Sequence, residues 1–183
     1  MRNYIRARLE GGYYFFTLVT YKRTKLFATQ LARRCLGEAI EKTRSRRPFE
    51  TIAFCLLFDH LDCIWKLPEN DADYSKRWSS IKGQFSKEYL RLGGQRKHIS
   101  SSRARKGEVC IWQRRFWEQQ IRDESDPQRH VDYINYKPVK HGLVQYVEDW
   151  PWSTYRRYVE EGLYGRANDF QQISSMSTER FGE

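Results

Sequence analysis

His60 and Asp62 stand two residues apart in the run Phe58-Asp59-His60-Leu61-Asp62-Cys63-Ile64-Trp65. In a β-strand, positions i and i+2 project from the same face. The imidazole and the carboxylate would therefore lie side by side. Such a donor pair suits a hard or borderline divalent cation, Mg2+ or Mn2+. Alone, a His-x-Asp pair also occurs on surfaces, or as a hydrogen-bonded histidine at a strand end. Its meaning depends on the rest of the chain.

That rest is strongly basic. The chain has 183 residues and a formal net charge of +10, which points to a polyanionic partner, nucleic acid before an acidic membrane. A 39% hydrophobic and 15% aromatic content is enough to build a core, so this is not a disordered composition. One domain over residues 1–165 with a polar tail over 166–183 is expected. No apolar run reaches the roughly 18 residues of a membrane span. The first residues lack the zones of a signal peptide, and a cytoplasmic protein is expected. Cys35, Cys55, Cys63 and Cys110 are far apart and form no C-x-x-C, which predicts reduced core thiols rather than a zinc site.

The elements that must carry the pair follow from periodicity. Tyr13–Thr20 and Thr51–Phe58 are rich in β-branched and aromatic residues and read as strands. Asp59-His60 reads as a tight connection into a third strand over Asp62–Leu67. Leu31, Leu36, Ala39 and Ile40 mark a helix over Thr29–Arg44. Trp78, Ile81, Phe85 and Tyr89 mark a second, capped by Asp73 and ended by Gly93-Gly94. Val109–Trp112 and the stretch from Phe116-Trp117 predict further strand. Asp126-Pro127 predicts a helix start, and Pro138 predicts its stop near Tyr136-Lys137. A short helix over Ser153–Glu161 closes the series. The order β-α-β-β-α-β predicts an α+β, ferredoxin-like (RRM-like) antiparallel sheet with two helices on one face. A further, C-terminal helix would carry Tyr133, and the second sheet face would be free for a site.

Four blocks then stand in register. They are Gly11–Tyr21, Asp59–Trp65, Ile111–Glu118 and Asp132–Gly142. Together they resemble the REP-associated tyrosine transposases, of the single-tyrosine HUH transposase superfamily (IS200-like), from about residue 4 to about residue 160. The resemblance implies cleavage and rejoining of single-stranded DNA bearing hairpins of repeated extragenic palindromes. The implied intermediate is a 5′-phosphotyrosine, formed with a divalent metal. By position, Tyr133 is the nucleophile, His60 and Asp62 are metal ligands, and Lys137 is the third metal-site position. Tyr136 is the alternative nucleophile, three residues on.

The chain departs from the family pattern twice. Asp62 stands where the second motif histidine is expected, and a carboxylate remains a normal ligand. Lys137 stands where an amide is expected, and an ammonium has no lone pair to donate. Asn135 and Gln113 are amides that could substitute. The departures leave a second reading open, a hairpin-DNA-binding protein derived from such an enzyme with its chemistry impaired. A third is an RNA-binding sheet module. Candidate DNA contacts are Arg6 and Arg8 on an N-terminal arm, Arg103, Arg105 and Lys106 in a basic loop, and Arg114 and Arg115 among aromatics. Trp112, Phe116 and Trp117 could be base-stacking faces or core. His130 reads as a surface histidine near Tyr133, and His141 as structural. A monomer or a homodimer is expected.

Overall fold

The structure, a computed structural model, describes residues 10–96, 105, 109–121 and 127–164. Strands β1 (Tyr13–Val19), β2 (Glu50–Leu56), β3 (His60–Lys66) and β4 (Trp117–Ile121) form one sheet in the order β2-β3-β1-β4. The pairings β1–β3, β1–β4 and β2–β3 are all antiparallel. Helices α1 (Gln30–Arg46) and α2 (Tyr74–Arg91) complete the predicted split arrangement. An Asp73 carboxylate oxygen accepts from the Lys76 amide, the cap expected for α2, and Thr29 Oγ1 accepts from the Ala32 amide at the start of α1.

Period-2 alternation divides the sheet into two faces. Tyr14, Phe16, Leu18, Leu61, Cys63 and Trp65 turn towards Leu36 and Ala39 of α1 and Trp78, Ile81 and Phe85 of α2. Trp65 and Trp78 stack at 4.0 Å between ring centroids, 16° from parallel. Arg77, buried beside them, is held by Asp71 (3.0 and 2.7 Å) and by the Pro48 carbonyl.

The opposite face is not free, contrary to the sequence expectation. Helix α3 (Pro127–Lys140) lies across it against β2 and β3, followed by Trp150 and helix α4 (Tyr155–Glu160). Phe15, Ala53, Cys55 and Ile64 pack there on Val131, Ile134, Trp150 and Tyr158. Strand β3 is consequently buried at six successive residues, His60 to Trp65. A half-solvated antiparallel strand would alternate instead. The sheet end carrying His60 and Val19 stays open to a cavity.

Helix α3 also corrects the predicted stop at Pro138. It runs through that proline to Lys140. A proline removes a single i→i−4 bond, and the last turn is re-tied by His141 N–H to the Lys137 carbonyl and Leu143 N–H to the Pro138 carbonyl, both 2.9 Å. Val109–Trp112 contributes only an isolated bridge, Trp112 to Thr20. All four cysteines are buried free thiols, as expected. No helix of the described residues is long and apolar enough to cross a membrane.

Candidate active site

Antiparallel register builds the site. Asp62 lies opposite Thr17 and His60 opposite Val19, so the end of β1 faces the start of β3. His60 Nε2 lies 3.7 Å from Asp62 Oδ2. The predicted side-by-side projection is therefore observed, on a buried surface: Asp62 is fully buried and His60 nearly so. The Thr17 hydroxyl donates to Asp62 Oδ1. Among the described residues Asp62 Oδ2 has no hydrogen-bond partner.

Asp59 orients the histidine. His60 Nδ1–H donates to Asp59 Oδ1, which leaves Nε2 turned towards Asp62. Burial opposes ionisation of Asp59. The hydrogen bond from His60 and the charges of His60 and Arg23 nevertheless hold its carboxyl below the usual range. Arg23 reaches Asp59 Oδ2 at 3.3 Å from a turn in which Lys22 and Arg23 both adopt left-handed backbone (φ 54° and 48°).

The third neighbour comes from α3. Lys137 Nζ lies 3.4 Å from Asp62 Oδ2, and both side chains are buried. The same ammonium sits 4.7 Å from the centre of the Tyr133 ring, one turn earlier, and Lys140 Nζ lies 5.2 Å from that centre. Lys137 Nζ thus neighbours both the Tyr133 ring and Asp62. Tyr133 is 7% exposed and packs its ring near Phe15. Tyr136 turns elsewhere, against Val147 and Tyr155.

Beside these groups opens a cavity of about 430 Å³, lined by Thr17, Arg23, His60, Gln113, Arg115, Lys137 and His141 among others. The His60 and His141 rings are 5.2 Å apart, centre to centre. Predicted residues divide accordingly. Gln113 and Arg115 join the cavity, and Arg105 and Arg114 are exposed. Asn135 does not join it; its Oδ1 accepts from Thr154 Oγ1 at 3.2 Å. His130 is buried beside Phe15, not on the surface. Arg6, Arg8, His98, Arg103, Lys106, Asp126 and the segment 166–183 lie outside the described residues. Trp112 is core against Phe27 and Phe85. Phe116 and Trp117 pack on Phe16 and Phe15 while also lining the cavity.

Sequence reasoning missed Arg23, Thr17 and the position of His141. His141 follows Lys137 by one helical turn, a spacing that the assumed stop at Pro138 concealed. Thr17 and Arg23 had no local signal, since strand pairing alone brings them to His60 and Asp62.

An imidazole nitrogen and a buried carboxylate oxygen without a hydrogen bond converge, with a carboxylate behind the imidazole; these two positions fit a divalent ion. Among the described residues no group of three His, Cys, Asp or Glu side chains could complete the shell. The next neighbour is the Lys137 ammonium.

A split β-α-β-β-α-β sheet carrying a polar pair on β3, with a tyrosine-bearing helix laid over it, defines a class of sheet-based protein with a strand-borne site. No protein-family model matches the chain. It is 43% identical over 164 residues to a Haemophilus influenzae protein named as a REP-associated tyrosine transposase, covering 90% of this chain and 91% of that one. It is 44% identical over 165 residues to the REP-associated tyrosine transposase of Escherichia coli K12, covering 90% and 88%. A solved REP-associated tyrosine transposase bound to a REP hairpin superposes with a TM-score of 0.74 at 41% identity, over the full length of both chains. The chain belongs to the REP-associated tyrosine transposases.

Proposed function

We propose that this protein binds the hairpins of repeated extragenic palindromes in single-stranded DNA and cleaves and rejoins the strand beside them. The observation that carries the reading is the 41% identical relative solved with a REP hairpin bound. In the proposed reaction the Tyr133 hydroxyl attacks a backbone phosphorus. The P–O3′ bond breaks, O3′ takes up a proton and leaves as a 3′-OH, and the phenolic proton is lost. The 5′-phosphotyrosine keeps the bond energy for attack by another 3′-OH. A free phenol, with a pKa near 10, is a poor nucleophile at neutral pH, so positive charge at the phosphate matters. His60 and Asp62 would hold a divalent ion, Mg2+ or Mn2+, which supplies that charge when bound. Lys137 and Arg115, both lining the cavity, would meet phosphate oxygens. Arg114 and Arg105 would extend the contact to the hairpin backbone.

The test uses palindrome-bearing single-stranded DNA with Mg2+ or Mn2+, read on a denaturing gel. A covalent adduct is expected with the wild type and none with Tyr133→Phe, whose hairpin affinity should change less than about threefold. An adduct that survives Tyr133→Phe removes Tyr133 from the role.

A second reading, hairpin binding without cleavage, is favoured by one observation: Lys137 Nζ sits on the carboxylate that a divalent ion would use. Tight binding with no adduct in any metal would select it.

A further inference from the structure

We propose that Lys137 is the resident counter-cation of the His60–Asp62 site and competes with divalent ions for Asp62. The proposal rests on reading those two residues as cation-binding donors. Asp62 is fully buried; Thr17 satisfies Oδ1, and two groups face Oδ2, namely His60 Nε2 at 3.7 Å and Lys137 Nζ at 3.4 Å. A carboxylate buried at this depth is kept ionised by a positive partner. Here α3 supplies one from within the chain, so the site is charge-balanced before any ion arrives. An ion seated between His60 and Asp62 would face the like charge of the buried Lys137 ammonium at short range. It must displace Nζ, and the lysine has a place to go: Lys137 already lines the cavity, and its Nζ lies beside the Tyr133 ring. Divalent ions should therefore bind the wild type weakly. Exchange of Lys137 for a neutral residue should turn the same donors into a tighter site.

The experiment titrates Mn2+ into the full chain without DNA, by calorimetry and by paramagnetic resonance of the free ion. Lys137→Asn is expected to bind one Mn2+ at least ~10-fold tighter than the wild type. Lys137→Met, which removes the charge without adding a donor, is expected to keep most of that gain. Asp62→Asn added to either is expected to abolish it. In EDTA both single variants should melt below the wild type, and Mn2+ should recover part of the loss in them alone. A gain confined to Lys137→Asn, or one that persists without Asp62, overturns the competition. If neither variant folds, the wild type still decides: one Mn2+ bound stoichiometrically at micromolar concentration overturns the proposal, and weak binding sustains it. Because no DNA is present, failure to form a DNA adduct and failure of this proposal are separate results.

Discussion

The Asp62–Lys137 pair is a point of low tolerance to substitution. Both side chains are buried, and Lys137 Nζ from α3 lies 3.4 Å from Asp62 Oδ2 on β3. Removing one partner leaves an uncompensated buried charge, typically a loss of about 3–5 kcal/mol. Lys137→Met and Asp62→Leu should each lower the urea-derived stability by that order. The double variant should recover most of the loss, because an apolar pair of similar volume is often neutral. A cycle in which the two losses simply add would show that the ion pair carries no coupling. The neighbouring thiols behave differently. Burial, and then the negative charge of Asp62, pushes Cys55 and Cys63 well above the usual thiol range. Both should resist a thiol reagent at neutral pH until the protein is unfolded.

At the scale of elements, α2 anchors the sheet through apolar and ionic contacts. Trp78→Ala would empty the space between Trp65, Phe16 and α2 and cost about 3–5 kcal/mol, read as a lower melting temperature. The start of the same helix is acid-sensitive. The hydrogen bonds from Arg77, above all, hold the Asp71 carboxyl below its ordinary range. A depressed carboxyl contributes stability that is present above the ordinary value of about 3.9 and is lost as pH falls through the folded value. Urea midpoints should therefore drop as pH is taken from 7 to 3, and Asp71→Asn should flatten that limb. These elements were legible because each carries its own local signal, a cap, a period or a glycine stop. Helix α3 was half legible: Pro127 marked its start, and Pro138 gave a false end because one missing hydrogen bond near a helix terminus is tolerated.

For the whole molecule, a net charge of +10 makes DNA binding an ionic-strength experiment. Log affinity for a hairpin should fall linearly with log salt, with a slope of about −0.7 to −0.9 per phosphate engaged. Replacing Arg114 and Arg115 together should reduce that slope by roughly 1–2 while weakening hairpins of different sequence about equally. An unchanged slope would move the DNA track away from this rim. The lining of the cavity comes from β1, β3, the stretch before β4, and α3, so these effects should combine non-additively with changes at Lys137.

The residues themselves determined the donor pair on one strand face, the βαββαβ order, the basic surface and the family likeness, since each is written in adjacent residues or short periods. Only tertiary structure decided what those groups meet. Antiparallel register set Thr17 on Asp62, a left-handed turn brought Arg23 to Asp59, and the crossing of α3 over the second sheet face drove the Lys137 ammonium onto a buried carboxylate. Such contacts join positions as much as 75 residues apart (137 − 62). Their energy depends on burial and distance, and neither quantity exists until the layers have packed.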